Sequence, residues 1–463
     1  MRILSSLFLI SALAVAQPNP QAEQAEYIKA NYTKYEYRIA MRDGKKLFTA
    51  VYVPKDESKT FPILLNRTPY SVAPYGADQY RSAIGPSYAA VKEGFIFAYQ
   101  DVRGRFMSEG VFVEMTPHKT NKGPRDFDES SDTYDTIDWL VNNVPRNNGR
   151  VGIYGISYPG FYAAAGMIDA HPALKAASPQ APVSDLYMGD DAFHNGAFML
   201  AANFGFYTFF GKPKNEPQLP QPRVPFQFGT QDGYDFYLKA GSLANLSEKL
   251  GEPSPYWQAN LQHTTYDEFW KSRNIRQHLK NIKPAVLTVG GWFDAEDVAG
   301  PLKCFEMVEQ NNPPAHNHLV IGPWCHGCWS GSQTGDRLRD IRWNSKTSEF
   351  YREKIELPFY LFHLKGKGDA NLPKAWMFET GTNQWRRFDT WPPKQGQAKT
   401  IYLRAGGKLS FEAPTDADAF DEYLSDPARP VPYLDTVQLG MAGNYMVSDQ
   451  RFAAKRPDVL VYE

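Results

Sequence analysis

Val151-Gly152-Ile153-Tyr154-Gly155-Ile156-Ser157-Tyr158-Pro159-Gly160 opens as a short apolar run and closes on small residues and a proline. Val151 to Tyr154 reads as a buried strand. Tyr162-Ala163-Ala164-Ala165-Gly166, just beyond, reads as a helix of small residues. Ser157 falls on the sharp turn between the two. Glycines flanking such a turn relieve crowding and let the hydroxyl stand above the strand ends. The pattern departs from strict G-x-S-x-G, because Pro159 holds the second glycine position and Gly160 follows. Proline is acceptable in a first helical turn, where its missing N–H has no partner to lose. The stretch predicts a serine nucleophile.

The segments around it set the fold. Tyr35–Ile39 and Leu47–Val53 read as paired strands joined by an Arg42-Asp43-Gly44 turn. Pro62–Leu65 and Phe95–Gln100 are apolar runs of central-strand type, with a helical stretch over Tyr80–Lys92 between them. Asp132–Val144 carries Ile137, Leu140 and Val141 at helical spacing. The sheet signal returns at Ala285–Gly290 and His318–Gly322, and Ser348–Phe362 reads as a closing helix. Alternating strands and helices predict an α/β chain with a mostly parallel sheet covered on both faces, the α/β-hydrolase architecture.

Between these parts, residues 185–280 are rich in aromatics, glycine and proline, with Pro217–Pro225 a loop and helices over Ser242–Leu250 and Tyr266–Leu279. They predict a cap inserted over the sheet edge. The expected division is therefore a core over 17–184 and 281–366, a cap over 185–280, and a β-rich region over 367–463, where Tyr402-Leu403 precede an Ala405-Gly406-Gly407 turn. Residues 1–16 form their own unit. Met1-Arg2 is a short positive start, Ile3–Val15 is apolar or small, and Ala14-Val15-Ala16 fits a small-x-small cleavage site. This predicts a signal peptide cleaved near Ala16 and a secreted or periplasmic product.

A serine hydroxyl needs a histidine base, and the base needs an orienting carboxylate. In this fold the chain order is serine, acid, histidine. Among nine histidines, His171 and His194 precede any late acid, and His316 and His318 sit at a strand entrance. His326 follows a strand on a loop at its C-terminal edge, in Gly322-Pro323-Trp324-Cys325-His326-Gly327, where such sheets meet ligands. The preceding strand ends in Gly290-Gly291-Trp292-Phe293-Asp294-Ala295-Glu296-Asp297. Asp294 lies nearest the strand end and is the expected orienter, with Glu296 and Asp297 as surplus acids.

These residues, with Arg67-Thr68-Pro69-Tyr70 and Gln100-Asp101-Val102-Arg103-Gly104-Arg105, resemble the α-amino-acid ester hydrolases. That group stands with cocaine esterase, glutaryl acylases and X-Pro dipeptidyl-peptidases. The resemblance runs from about Tyr35 to the last residue. It implies a catalytic triad on Ser157, Asp294 and His326. It implies an oxyanion hole from the Tyr158 backbone N–H and the Tyr70 hydroxyl, each donor contributing about 3 kcal/mol. It implies an ammonium site made by Glu296, Asp297 and one acid of Asp190-Asp191, with the spacing from Ser157 favouring Asp191. Clustered carboxylates resist ionisation, and a bound cation relieves them. The implied reaction passes an α-amino-acyl group through an acyl-enzyme to water or an amine, with X-Pro dipeptidyl-peptidase and general esterase activity as alternatives. A non-catalytic secreted binding protein is the reading of a different class. The resemblance further implies a homo-oligomer and a C-terminal β jelly roll over 367–463. That jelly roll is expected to be about half present, since Asp458–Glu463 ends in the middle of what reads as a strand.

Composition narrows the partners. Fifty basic and 51 acidic residues give a net charge of -1 without long charge runs, which excludes a nucleic-acid or anionic-membrane surface as the main business of the chain. No stretch outside the leader approaches membrane-spanning length. Cys325-His326-Gly327-Cys328 lacks a second ligand pair for zinc and a thioredoxin-like setting, which leaves a structural disulfide or free thiols open. No metal or cofactor is expected, and the partner is a small amino-acyl ester, amide or short peptide.

Overall fold

The computed structural model describes residues 20–463 apart from 213, 215, 252–253, 313–315, 370–371, 416–418 and 444. The expected signal peptide lies outside the described residues. Ten strands form the main sheet: β1 (Tyr32–Ala40), β2 (Lys46–Pro54), β3 (Phe61–Thr68), β4 (Ile96–Asp101), β5 (Asn147–Ile156), β6 (Leu174–Gln180), β7 (Ala285–Gly291), β8 (Asn317–Gly322), β9 (Ala375–Glu379) and β10 (Gln384–Phe388). Their spatial order is 1-2-4-3-5-6-7-8-9-10. Strands β3 to β9 run parallel to one another, while β1, β2 and β10 pair antiparallel at the two sides.

Alternation along the strands builds two cores. Ile63 and Leu65 of β3, and Ile96 and Ala98 of β4, face one layer with Ile137, Leu140, Phe161 and Tyr162. Leu64, Phe97 and Tyr99 face the other, with Tyr351, Ile355, Phe359 and Leu364. The first layer is made by α1 (Glu129–Asn143) and α2 (Tyr158–Gly166). Asp128 caps α1, accepting from Ser131 N–H while the Ser131 hydroxyl accepts from Asp128 N–H.

The helix expected over Tyr80–Lys92 is only Tyr88–Glu93. The stretch Tyr266–Leu279 is not one helix but an α-turn, Glu268–Lys271, and a 3-10 turn, Ile275–His278. Asn274 interrupts it, its side chain accepting from Arg276 N–H instead of letting the helix continue. The cap also contains α3 (Leu200–Tyr207), which buries Asn203, Phe204 and Tyr207.

The C-terminal region departs from expectation. Its first two strands, β9 and β10, extend the main sheet, with Leu319 of β8 opposite Ala375. Beyond them the described residues hold one two-stranded ribbon, Tyr402–Arg404 with Lys408–Ser410. Glu463 joins it through bonds to Gly407 and Leu409. The expected jelly roll is thus represented by a ribbon and irregular chain, because the strand-like residues nearest the core pair with β8 instead.

Candidate active site

Strand β5 delivers Ser157 at φ 66° and ψ −128°, a conformation that costs a residue with a Cβ about 1–3 kcal/mol. The surroundings hold it there. Ser157 N–H donates to the Gln180 carbonyl at the end of β6 (3.0 Å), and Phe161 N–H donates to the Ser157 carbonyl (3.0 Å). A Cβ at Gly160 would fall 2.4 Å from that same Gln180 carbonyl, which explains the glycine one position later than the usual pattern. Tyr158 N–H, at the first helical position, has no intrahelical acceptor.

Two loops bring the acid to the base. Trp292 N–H donates to Gly322 O (2.9 Å) and Phe293 N–H to Trp324 O (3.1 Å), so the segments after β7 and β8 run clamped together. A Cβ at Gly291 would meet the Trp324 carbonyl at 2.2 Å, so this closeness requires glycine. Asp294, 1% exposed, receives His326 Nδ1–H at 2.8 Å and the N–H groups of Glu296 (2.9 Å) and Asp297 (3.0 Å). Burial alone would raise its pKa, but the His326 charge and these donors outweigh it and hold the carboxyl below the usual range. An ionised acceptor there puts the ring proton on Nδ1 and leaves Nε2 facing away. Burial disfavours the charged ring, yet Asp294, then Glu296 and Asp191, push His326 up to about 9. Nε2 is buried without a hydrogen-bond partner among the described residues. The loop lies at the serine turn, since a Cβ on Gly327 would touch Ile156 Cγ2 at 3.6 Å.

Gln180 links both halves. Its backbone carbonyl holds Ser157, and its side-chain oxygen accepts the Trp329 indole N–H at 2.7 Å, three residues past the histidine. Cys325 and Cys328 are disulfide-bonded across the His326-Gly327 pair, while Cys304 is a buried free thiol.

The surplus acids gather beside this pair. Glu296 Oε2 lies 3.7 Å from His326 Nε2, and Asp297 Oδ2 3.8 Å from Nδ1. Asp297 has no exposed surface, and neither of its oxygens has a hydrogen bond among the described residues. Burial, then Asp191, Asp190, Asp294 and Glu296, drive its pKa far up. Burial and Glu296 do the same to Asp191, with His326 opposing. Asp190 is otherwise engaged: its Oδ2 accepts from Ser184 N–H, Ser184 Oγ and Asp185 N–H at 2.8 Å each, and from Arg276 at 3.0 Å. Glu296, Asp297 and His326 present donor atoms within 4.8 Å of one another, a set able to surround a cation.

A cavity of about 370 Å³ is lined by Ser157, Tyr70, Asp191, Glu296, Glu114 and Arg223, among others. Tyr70 lines this cavity and is 42% exposed, its ring against Tyr158 (6.3 Å) and Phe210 (5.6 Å). Close packing, then the Asp191, Glu114, Glu296 and Asp297 charges, raise its hydroxyl well above the ordinary value, so it remains a proton donor. The remaining motif residues position this loop. Arg67 is buried, bonding Gln100, Glu129 and Thr133. Asp101 accepts from Val72 N–H and Tyr75 OH, and Arg105 donates to the Pro69 carbonyl.

The lining residues that were not foreseen include Glu114, Tyr207 and Arg223. Glu114 is buried, which raises it to about 7 against the Tyr207 hydroxyl donating at 2.8 Å. Glu114, Tyr207 and Arg223 lie in no motif and carry no periodic signal.

Sheet order, serine turn and loop placement define an α/β-hydrolase. Residues 43–328 match the X-Pro dipeptidyl-peptidase (S15) family, and the chain belongs to that family. It is 30% identical over 442 residues to cocaine esterase of Rhodococcus sp. (strain MB1 Bresler), covering 92% of this chain and 73% of that protein. Among solved structures it is similar to an aminopeptidase from a marine sediment archaeon, Thaumarchaeota archaeon, at TM-score 0.83 and 35% identity, covering 98% of this chain and 74% of the other. It is equally similar to an α-amino acid ester hydrolase, at TM-score 0.83 and 33% identity, covering 98% and 75%. These relatives are hydrolases of the esterase and peptidase kind.

Proposed function

We propose that the chain is a serine hydrolase that removes α-amino-acyl groups from esters and amides, with Ser157 as nucleophile, His326 as base and Asp294 as its orienter. The observation that carries this reading is the buried, unpaired carboxylate of Asp297 beside His326, in a cluster with Glu296 and Asp191. A bound cation that brings hydrogen-bond donors satisfies such a group. The substrate ammonium is that cation.

Ser157 Oγ attacks the acyl carbonyl as His326 Nε2 takes its proton. Tyr158 N–H and the Tyr70 hydroxyl then receive the developing oxyanion. His326 returns the proton to the leaving group, and water repeats the cycle on the acyl-enzyme. A base must be unprotonated, and the free site holds His326 up to about 9 through its acids. Binding an ammonium cancels part of that negative field and lowers His326 toward neutrality, so a substrate with an α-amine prepares the base that attacks it.

The names of two similar structures, an aminopeptidase and an α-amino acid ester hydrolase, support an α-amino substrate. The family description favours a second reading, release of an X-Pro dipeptide, which also needs a held amine. We place the protein outside the cytoplasm, a compartment that suits the Cys325–Cys328 pair. The deciding experiment compares an amino-acid methyl ester with the same ester lacking the amine, and with an Ala-Pro reporter. Preference for the amine-bearing ester, lost in Ser157→Ala, is expected. Equal rates on both esters would overturn the ammonium site, and faster dipeptide release would select the peptidase reading.

A further inference from the structure

Arg223 sits on the wall of the cavity that also holds Ser157, Asp191, Glu296 and Glu114. Its guanidinium lies 3.5 Å from the centre of the Phe209 ring, a cation–π contact. No carboxylate of the described residues forms an ion pair with it, although three line the same cavity. The neighbouring arginines are otherwise occupied. Arg105 donates to Pro69 O and lies over Phe210, Arg273 donates to the Glu114 and Phe269 carbonyls, and Arg276 pairs with Asp190. The cavity is therefore lined by acids beside the base and by one guanidinium that lies more than 4 Å from every carboxylate oxygen of the described residues.

We propose that Arg223 is a specificity-determining residue that holds an anionic group on the leaving portion of the substrate. This inference rests on the ammonium reading above, because the acids then fix which end is the acyl end. An anion on the acyl side chain would lie close to Asp191 and Glu296 and be repelled. An anion on the leaving alcohol or amine is carried away from them, toward Arg223, which is exposed. A planar fork of donors suits a carboxylate better than a point charge would. The substrate class is zwitterionic: an α-ammonium on one side of the scissile bond and a carboxylate on the other, as in a dipeptide or a carboxylated ester.

Benzyl and 4-carboxybenzyl esters of alanine test this on the full chain, since they differ only in a charge remote from the reacting carbonyl. The wild type is expected to favour the carboxylated ester about tenfold in kcat/KM, with the ratio shrinking at 1 M salt. In Arg223→Gln the ratio falls to about one, and Arg223→Lys recovers part of it. A wild-type ratio of one, or a ratio that survives in Arg223→Gln, overturns the proposal. So does a larger effect of Arg223→Gln on the benzyl ester of glutamate, acylated through its α-carboxyl, than on the carboxybenzyl ester. N-acetylalanine benzyl ester, run alongside, reports on the ammonium site separately. Equal rates with and without the acetyl group would defeat that reading while the carboxylate ratio still judged Arg223.

Discussion

Asp294 accepts the Nδ1 proton of His326 at 2.8 Å while the N–H groups of Glu296 and Asp297 occupy its other oxygen, at 2.9 and 3.0 Å. The carboxylate is thus fixed before it fixes the ring. Asp294→Asn keeps the shape but presents an amide that can donate to Nδ1 and select the wrong tautomer. We expect kcat to fall by roughly 10³–10⁴, with correct folding by circular dichroism. A loss under tenfold would remove Asp294 from the proposed triad.

Glu296 stands 3.7 Å from Nε2 and is among the charges that raise His326. With an ester that lacks the amine, kcat/KM of the wild type should rise with pH to a plateau, its midpoint raised by these acids to about 9. Glu296→Gln removes a charge that favours the protonated ring, so the midpoint moves to lower pH. A purely structural Glu296 would change the height of the profile and leave its midpoint alone.

Asp297 carries a stability prediction of opposite sense to most buried acids. Its pKa is raised on folding, so the folded chain binds the proton more tightly than the unfolded chain. Its contribution is most favourable at acid pH and declines as pH climbs above the ordinary aspartate value of about 4. Asp297→Asn should therefore gain stability relative to wild type, by about 1–3 kcal/mol at pH 8 and by less at pH 4. The same change should raise KM for amino-acyl esters by about tenfold or more. Thermal melts across pH decide the first claim, and a gap between the two chains that is flat with pH contradicts it.

The Cys325–Cys328 bond closes a four-residue ring whose interior is His326 and Gly327. Opening it, by Cys325→Ser with Cys328→Ser, should lower kcat about tenfold and slow labelling by a fluorophosphonate, because the imidazole loses a restraint. The fold should persist, as the cost of losing so short a loop is about 2 kcal/mol. Unchanged kcat in the double variant would make the bond irrelevant to the base.

Legibility followed the range of the forces involved. Ser157, Asp294 and His326 follow the ends of β5, β7 and β8, so a local apolar run followed by a turn marks where they fall. Gly160 and Gly291 were legible within their motifs, but the contacts that require them, to the carbonyls of Gln180 and Trp324, come from neighbouring segments. Glu114 and Arg223 were not, because only the packing of the cap and the loop after β4 brings them to Ser157. The 375–388 strands fell within a region read only as β-rich, not as members of the main sheet. An alternating pattern tells a residue which face to bury, not which neighbour to pair with, and here β8 was the neighbour.

Gly440 and Met441, far outside the sheet, also line the cavity, and Gln438 anchors that stretch by accepting the Gly233 N–H of the cap at 3.0 Å. Part of the outline around the proposed reacting groups is therefore encoded far from them in the chain. The loops at the strand ends carry Ser157, Asp294 and His326 with the acids beside them, while the cap and the tail add to the cavity wall. Substitutions at 440–441 can reshape what the cavity admits while leaving those loops untouched.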